Sequence, residues 1–589
     1  MVGDLHTAAM ISDEGSVDWL CIPRFDSDAC FASLIGKEDN GRFRIAPRAR
    51  VQKVVQAYET DTLVLTTTFT TETGAVRLVD FMPIRESHAR LVRIVQGISG
   101  EVEMSVDLTL RFDYGLTVPW VRRVKEGIDF VSGPNAAILT SDVELHGIGL
   151  ASIGHFTVAA GEQKSFVLAF YDSVTALPRA IDPFVELAQV RRFWRSWLAA
   201  THEDYGPYDA CVRRSLVTLK ALTYAPTGGM VAALTTSLPE QLGGSRNWDY
   251  RYCWLRDATF ALYAFLHRGH GREARAWRAW LLRAVAGSAD QLQILYGVGG
   301  ERRIPELNLD WLDGYAGSKP VRIGNAASEQ FQLDVYGEVT DVLYQMLKVG
   351  IRHDENAWEI QKYLTDHVAS VWNEPDDGIW EIRGERQHFT HSKVMAWVAL
   401  DRSISSLDLL GADGPREAWS AARAQIVETV MKRGYSERVG AFTQALDSDR
   451  LDAAVLLAPI MGFIDANDPR MVSTVNRIAK DLTQDGFVLR YEPEAGVDGI
   501  GEPEGVFLPC SFWLVENLAM QGRIDEAEGL LQKLIGVASG VGIYSEEFDP
   551  KRHTMVGNFA QAFSHVGLVN AVHRVVTAKR GVKVAQRRG

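Results

Sequence analysis

The chain has 589 residues, of which 46% are hydrophobic and 23% charged, a composition typical of a folded globular protein. Its net charge of −13 argues against a nucleic-acid partner and fits a neutral or cationic ligand. Five scattered cysteines without a Cys-x-x-Cys pair indicate neither a disulfide framework nor a zinc site. Neither a signal peptide nor an apolar run of about 20 residues is visible, so we expect a cytoplasmic protein without a membrane span.

Residues 1–181 are predicted to form an antiparallel β-sandwich. Segment 102–112 alternates apolar and polar residues, the pattern of a half-buried strand, and segment 62–70 is rich in β-branched residues. No helical pattern separates the strands, so we expect neighbouring strands to pair antiparallel and to pack as two layers. Further short strands are expected near 128–131, 136–140, 143–152 and 165–171.

The hydrophobic period changes to a helical one near residue 182. Asp182-Pro183 predicts a helix start, and residues 182–208 are interpreted as a helical linker. The following region, 209–578, is predicted to be an (α/α)6 barrel, because it contains twelve helical stretches in six consecutive pairs. The basic tail, 579–589, is expected to be a disordered, solvated end. The predicted helices span 209–223, 257–268, 272–287, 332–350, 355–372, 391–410, 415–433, 451–460, 468–482, 509–522, 524–537 and 560–577.

Two glutamates lie in separate, aromatic-rich segments of the helical region. Glu381 ends Gly-Ile-Trp-Glu (378–381), and Glu546 lies in Tyr-Ser-Glu-Glu-Phe-Asp-Pro (544–550). Glycoside hydrolysis uses such a pair, one carboxylic acid to protonate the leaving oxygen and one carboxylate to activate water or attack carbon. Aromatic faces suit the C–H face of a sugar ring. With 75 acidic residues in the chain, however, the pair alone proves nothing.

A dense cluster of polar and aromatic residues precedes the second predicted helix of the barrel. Residues 245–257 read Ser-Arg-Asn-Trp-Asp-Tyr-Arg-Tyr-Cys-Trp-Leu-Arg-Asp. Asp257 could simply be the N-cap of the helix that follows. A cap requires only the aspartate, whereas this segment also has four aromatic residues and three arginines. We therefore favour a sugar-binding pocket.

Several ordered segments resemble one known family along nearly the whole chain. On them the sequence resembles glycoside hydrolase family fifteen, the glucoamylase family, and is most similar to its bacterial trehalase and glucoamylase members. The N-terminal segments are Gly-Ser-Val-Asp-Trp-Leu-Cys (15–21) and Pro-Arg-Phe-Asp-Ser (23–27). The others are Tyr-Gly-Val-Gly-Gly-Glu-Arg (296–302), Pro-Val-Arg-Ile-Gly-Asn (320–325), Gly-Ile-Trp-Glu-Ile-Arg-Gly (378–384), Cys-Ser-Phe-Trp-Leu (510–514) and Gly-Asn-Phe-Ala-Gln-Ala-Phe-Ser-His (557–565).

The resemblance implies a role for each candidate residue. Glu381 matches the general acid and Glu546 the general base, whereas Glu547 is only a neighbour of the base. Fungal members carry a second glutamate after the acid, where this chain has Ile382, so their preference for long α-1,4 chains is in doubt. The implied substrate-binding residues are Tyr250, Trp254, Arg256, Asp257, Trp380, Arg490 and Tyr544, with Arg256 and Asp257 gripping the hydroxyls of the terminal glucose.

A metal site is a weaker alternative. His388 and His391 form His-x-x-His, which could supply two metal ligands from one helical turn. No third ligand lies at a suitable spacing, so a structural or substrate-contacting role is favoured. We expect neither a metal nor a cofactor.

The leading hypothesis is an inverting, exo-acting α-glucosidase for a small α-glucoside, with trehalose narrowly favoured over malto- and isomalto-oligosaccharides. Inversion requires the two carboxyl groups to lie about 6.5–9.5 Å apart. A sugar phosphorylase would share the architecture but needs an anion site in place of Glu546. A non-catalytic sugar sensor is the third alternative, which intact Glu381 and Glu546 disfavour.

Overall fold

The structure is a computed structural model that describes residues 1–581 apart from residues 202, 267, 286, 288, 352–354 and 493–503. Most of the predicted basic tail, 582–589, thus lies outside the described residues. No described helix is long and apolar enough to cross a membrane.

The N-terminal domain is an antiparallel sheet, as the alternating patterns predict. Each predicted strand is confirmed, with ends that differ by a few residues, although segment 143–152 is divided between two strands. Among the described residues the strands are β1 Val2–Gly3, β2 Ala8–Ile11, β3 Ser16–Cys21, β4 Ala29–Phe31, β5 Arg42–Pro47, β6 Lys53–Tyr58, β7 Leu65–Thr70, β8 Gly74–Phe81, β9 Arg90–Thr109, β10 Trp120–Val124, β11 Gly127–Ser132, β12 Asn135–Ser141, β13 His146–Ile148, β14 Ala151–Ala159 and β15 Gln163–Asp172.

Strand β9 joins the two halves of this sheet. Its first part pairs with β8 and β15, and its last part pairs with β5 and β14. Side chains from both halves, such as Phe43 and Phe166, pack into one buried cluster. The hydrogen-bonded sheet is therefore continuous, because one 20-residue strand belongs to both halves.

Helices begin at the predicted change of period. Asp182 caps α1, since its side chain accepts hydrogen bonds from the backbone N–H groups of Phe184 and Val185. The helices are α1 Pro183–Leu198, α2 Asp209–Ala221, α3 Leu255–Leu266, α4 Gly271–Ala284, α5 Asp334–Lys348, α6 Glu355–Val371, α7 Thr390–Leu410, α8 Arg416–Thr429, α9 Leu457–Ile460, α10 Pro469–Asp481, α11 Leu508–Met520, α12 Ile524–Gly536 and α13 Ala562–Lys579.

One predicted helix is much shorter than expected. Segment 451–460 was predicted to be helical throughout, but Ala453–Leu456 is a 3₁₀ turn and α9 has only four residues. Asp452 caps the 3₁₀ turn through the N–H of Ala454, and Gly462 turns the chain in the left-handed region at φ 83°. The first turn of the predicted helix is therefore a 3₁₀ turn, and only its second turn is α-helical.

The helices from α2 onward pack in pairs. Consecutive odd-numbered helices from α3 to α13 contact one another, and α13 also contacts α3. The even-numbered helices pack outside these contacts, for example α4 against α3, α8 against α7, and α10 against α11. This arrangement leaves the connecting loops to carry the site residues.

Short strands lie within those loops. Strands β24, β25 and β26 form a three-stranded antiparallel sheet that carries Glu546 on its central strand. The loop strands are β16 Cys253–Trp254, β17 Leu295–Tyr296, β18 Leu307–Asn308, β19 Arg322–Ile323, β20 Tyr435–Ser436, β21 Ala441–Phe442, β22 Thr483–Gln484, β23 Phe487–Val488, β24 Val506–Phe507, β25 Ser545–Asp549 and β26 Thr554–Phe559.

Candidate active site

A cavity of about 670 Å³ lies among the loops that connect the helices. Four of the predicted site residues line it: Tyr250, Trp380, Glu381 and Arg490. The remaining described lining residues are Glu240, Arg246, Trp248, Asn325, Ala326, Ala327, Gln330, Arg383 and Tyr491.

Glu381 enters the cavity from the loop between α6 and α7. Its backbone adopts φ 56°, in the left-handed region that non-glycine residues rarely occupy, so the loop holds this residue under local strain. Its Oε1 accepts a hydrogen bond from Trp254 Nε1 at 2.7 Å and lies 3.4 Å from Arg256 Nη1. Burial raises the pKa of Glu381, and Arg256 and the Trp254 hydrogen bond oppose the shift. A raised pKa suits a general acid.

Trp254, Arg256 and Asp257 lie in the layer directly behind Glu381. Arg256 Nη1 also donates to the Ile379 carbonyl at 2.8 Å, and its Nε donates to Asp257 Oδ1 at 3.3 Å. Asp257 lies inside the first turn of α3, not before it, so the N-cap alternative is wrong. None of the three is among the described residues that line the cavity. Their observed contacts are therefore with the acid loop, and a direct grip on sugar hydroxyls stays a prediction.

Glu546 lies at a β-bulge between β25 and β26. Ser545 pairs with Phe559 and Glu547 pairs with Val556, so Gly557 and Asn558 together oppose Glu546. Gly557 has φ 75°, which favours glycine, and a Cβ there would lie 2.8 Å from Glu546 Oε2. Bulges of this kind re-aim a side chain beside an active site. The bulge therefore sets the direction of the Glu546 carboxylate.

Glu546 is only 1% exposed and lies one layer behind the cavity wall. Burial raises its pKa well above the ordinary value, and the negative charge of Glu240 raises it further. Arg490, the Asn558 N–H and a hydrogen bond with the Tyr250 hydroxyl oppose this shift. The Tyr250 ring meets the Trp254 ring edge-on at 4.9 Å, and Trp254 in turn binds Glu381. Tyr250 and Trp254 thus connect the two candidate catalytic glutamates.

Arg490 lies among three carboxylates beside Glu546. Oxygens of Glu240, Glu504 and Glu547 lie within 4.8 Å of one another, a spacing that a divalent cation could use. Arg490 Nη2 lies 2.5 Å from Glu504 Oε2 and 3.2 Å from an oxygen of both Glu240 and Glu547. Arg246 Nη1 lies 3.6 Å from Glu240 Oε2 and 3.0 Å from Glu504 Oε2, so we interpret the guanidinium groups of Arg490 and Arg246 as the cations of this cluster.

Trp380 forms one wall of the cavity and is firmly held. Its Nε1 donates to both carboxylate oxygens of Asp452 at 3.0 Å, and its ring packs against Phe507 and Trp513. Burial raises the pKa of Asp452 to about 6. Trp380 thus gives the cavity that contains Glu381 a fixed aromatic surface.

Tyr544 does not lie where the resemblance implies. Its hydroxyl donates to the Leu534 carbonyl at 3.2 Å, and its ring packs against Phe512 and His565 in the core. It is 1% exposed and is not among the described lining residues. The residue precedes β25 and points toward the outer helix α12, so the structure does not bring Tyr544 to the cavity, and substrate binding by Tyr544 stays a prediction.

His388 and His391, the two histidines of the His-x-x-His motif, lie in different elements. His391 is buried in α7, and burial lowers its pKa to about 3, whereas His388 precedes the helix. His391 Nδ1 lies 3.9 Å from Asp334 Oδ2. Neither histidine belongs to the described group of side chains that could hold a metal ion. A packing role for His391 fits its burial.

Sequence reasoning missed the residues that complete the cavity. Asn325 and Arg383 lie inside segments that carry the family resemblance, 320–325 and 378–384, and Trp248 lies in the polar-aromatic segment 245–257, so these motifs were the available signal. Glu240 had no such signal, because isolated charged residues in loops are usually solvated surface groups.

Comparison with known proteins identifies the class. Residues 206–573 match the family described as "Glycosyl hydrolases family 15", and residues 1–167 match "Trehalase-like, N-terminal". The first match covers more than half of the chain. The chain therefore belongs to glycoside hydrolase family 15 and is a glycoside hydrolase.

Relatives with similar sequences span almost the whole chain. The trehalase of Mycolicibacterium smegmatis is 37% identical and covers 98% of this chain and 91% of the relative. The trehalase of Thermoplasma volcanium is 33% identical, and the match covers 99% of this chain and 94% of the relative. Trehalase 1 of Sulfolobus acidocaldarius is 34% identical, with 98% of each covered.

A solved structure shares the fold. A bacterial glucoamylase complexed with acarbose superposes with a TM-score of 0.73, covering 99% of this chain and 97% of the other. The two sequences are only 12% identical, so this likeness concerns the fold. It gives a glucoamylase-like arrangement of an N-terminal antiparallel sheet domain followed by a helical domain.

The bulge at Glu546 generates a first prediction. Gly557→Ala should lower kcat for glycoside hydrolysis by at least about tenfold, because the new Cβ must displace the Glu546 carboxylate. The control is Gly529→Ala, since a Cβ at Gly529 in α12 meets nothing within 4 Å. Steady-state kinetics of both variants would check this, and a fully active Gly557→Ala enzyme would contradict the role of the bulge.

The charge of Glu240 generates a second prediction. Its negative charge raises the pKa of Glu546, so Glu240→Gln should lower that pKa. A base works only when ionised, so activity is lost as pH falls through its pKa. The acid limb of the kcat/KM profile should therefore move to lower pH in Glu240→Gln. Glu103→Gln, at an exposed surface pair, should leave the limb in place.

Proposed function

We propose that this protein hydrolyses trehalose with inversion, releasing β-glucose from the non-reducing end of the substrate. The observation that carries the proposal is the link between Glu381 and Glu546 through Trp254 and Tyr250 at one cavity. The full-length relatives named trehalase support trehalose as the substrate. We further infer that the helices close into an (α/α)6 barrel and that the sheet domain is a sandwich, because the odd-numbered helices contact one another in a cycle and β9 joins two packed halves.

In this mechanism, Glu381 is the general acid. Burial raises the pKa of Glu381, which favours the protonated acid that donates to the glycosidic oxygen. Trp254 and Arg256 hold one carboxylate oxygen, so the other is available to face the substrate. After transfer, the nearby Arg256 guanidinium stabilises the carboxylate that forms.

Glu546 is the general base. It accepts a proton from a water molecule held where Tyr250 meets the Glu546 carboxylate, and this water attacks the anomeric carbon from the face opposite the leaving group. Arg490 and Tyr250 favour the ionised form that this step requires. An inverting pair needs a separation of about 6.5–9.5 Å between the two carboxyl groups, which stays a prediction.

The shape of the cavity supports exo action on a small substrate. Glu240, Tyr250 and Arg490 form a buried end, which suits a single terminal glucose. A phosphorylase would instead need a free anion site. Arg246 and Arg490, the two arginines near that end, are both paired with carboxylates. Hydrolysis is therefore preferred, and release of free glucose without phosphate would test it against formation of glucose-1-phosphate.

A third prediction concerns the two catalytic residues. Glu381→Gln and Glu546→Gln should each lower kcat for trehalose by at least about 100-fold, the lower range for a lost acid or base. Glu547→Gln should cost far less, because Glu547 lies beyond the bulge and its carboxylate faces Arg490, so only Glu546 of the two adjacent glutamates is expected to face the attacking water. If Glu240→Gln or Glu547→Gln were inactive while Glu546→Gln remained active, the base would have to be reassigned.

A fourth prediction concerns stereochemistry. The first product released by the attacking water should be β-glucose, since inversion of an α-linkage gives the β-anomer. Proton NMR in the first minutes of turnover separates the two anomers before mutarotation. Trehalose gives a second glucose as leaving group in the α form, so an equal mixture of anomers is expected, whereas retention would give only α-glucose.

A further inference from the structure

We propose that Trp248 and Arg383 form the binding surface for the leaving glucose unit and determine which disaccharides are hydrolysed. This inference rests on the proposed function, because it assumes an exo-acting enzyme with a disaccharide substrate. It assigns a specificity role to two residues at the rim of the cavity.

Burial distinguishes the two ends of the cavity. The end formed by Glu240, Tyr250 and Arg490 is 2%, 9% and 7% exposed, whereas the Arg383 side chain is 37% exposed. In a cavity with one closed end, the terminal sugar occupies that end and the rest of the substrate lies toward the opening. Arg383 therefore lies on the side from which the leaving group departs. Trp248 hydrogen-bonds Glu240, and its ring centre lies 4.3 Å from the guanidinium carbon of Arg383, so it extends from the buried end to that side.

The rim is connected to the general acid by short contacts. Arg383 follows Glu381 by two residues, and the intervening Ile382 is buried, so Arg383 is the next residue of the acid loop to reach the cavity. Gln330 Nε2 donates to the Ile382 carbonyl at 3.0 Å. The acid must lie between the two sugars that it separates, so a residue beside it at the rim is positioned for the leaving unit.

The indole of Trp248 is held rigidly by charged groups. The guanidinium carbons of Arg322 and Arg383 lie 4.5 and 4.3 Å from the centre of its ring system. Glu306 pairs with both arginines, at 3.6 Å from Arg322 Nε and 2.8 Å from Arg383 Nη2. Arg322 Nη1 also donates to the carbonyls of Ser245 and Asn247. This network pre-orders the surface before a sugar arrives.

The chemistry of this surface matches a neutral sugar. An indole presents a flat apolar area to the C–H groups of a pyranose, and a guanidinium group donates to hydroxyl oxygens in fixed directions. Because Glu306 is paired with the guanidinium groups, the surface does not offer a bare cation to an anionic leaving group. The expected ligand is therefore an uncharged hexose unit.

The test compares two substrates that share the same terminal glucose. Trehalose carries a glucose leaving group, whereas α-glucosyl fluoride carries only fluoride and cannot use the rim. Arg383→Met should lower kcat/KM for trehalose by about tenfold or more and leave kcat/KM for α-glucosyl fluoride within about twofold. Trp248→Ala also removes a hydrogen bond to Glu240, so it should lower kcat/KM for both substrates, with a loss on trehalose that is larger by about tenfold. Trp248→Phe keeps an aromatic surface and should show a smaller additional loss on trehalose. Unchanged fluoride hydrolysis by Arg383→Met also reports that this variant is folded.

Arg386→Met is the matched control. Arg386 lies on the same loop, contacts the ring of Phe331 and pairs with Asp377, but is not among the described lining residues. This variant should keep the wild-type ratio of the two activities. Equal losses on both substrates in the rim variants, or no loss on trehalose, would overturn the proposal.

The same experiment separates this inference from the proposed function. A wild-type enzyme that hydrolyses α-glucosyl fluoride and another disaccharide, such as maltose or isomaltose, but not trehalose would contradict trehalose as the substrate. The rim would then be judged by the same ratio measured with the disaccharide that is hydrolysed. A wild-type enzyme that hydrolyses the fluoride but no disaccharide would contradict both.

Discussion

The constraint that shapes this active site is the burial of several carboxylates next to a few deeply placed arginines. Arg256 lies against Asp257 and Glu381, whereas Arg490 and Arg246 lie against Glu240 and Glu504, with Glu547 also beside Arg490. A buried charge without a partner is costly, so these arginines stabilise acids that solvent would otherwise have to stabilise. Burial raises the pKa values of Glu240, Glu546 and Glu547, and the charges of neighbouring carboxylates raise them further. The candidate catalytic groups therefore titrate as members of a network, and their pKa values belong to the group as much as to single residues.

The acid and the base reach this network by different local structures. Glu381 is itself a loop residue with a strained backbone, and its carboxylate accepts a hydrogen bond from Trp254. The direction of the Glu546 carboxylate is fixed instead by a β-bulge that only glycine at position 557 permits. Both devices fix direction without using the side chain's own flexibility, and such preorganisation is what lowers a reaction barrier. They also explain why the consecutive residues Glu546 and Glu547 have different surroundings, because the bulge lies between the pairing of Ser545 and that of Glu547.

The sequence predicted the architecture well because periodicity is a local property. Strands and helices followed alternating and helical patterns, and at 451–460 the difference is that the first turn is 3₁₀ and only Leu457–Ile460 is α-helical. The site was predicted less completely. Glu381, Glu546, Tyr250, Trp380 and Arg490 could be named from motifs, but Tyr544 was assigned to the substrate although it faces the core. Glu240 was missed because only the fold brings its loop to this cavity, whereas Arg383 was missed although it lies in the same motif as Glu381.

The residues proposed for catalysis and those proposed for leaving-group selectivity are centred on different parts of the cavity. The buried end depends on coupled charges, so a change at Glu240 or Arg490 alters the ionisation of Glu546 as well as the contacts with sugar. The rim depends on Trp248 and two arginines that are tied to Glu306, and a hydrogen bond between Trp248 and Glu240 connects it to the network around Arg490. A substitution at Arg383 can therefore change the leaving unit that is accepted while the acid and base keep their environments, whereas one at Trp248 also alters the surroundings of Glu240. Glycosidases that share a fold yet differ in linkage preference are expected to vary at such rims first, because there the cost to catalysis is smallest.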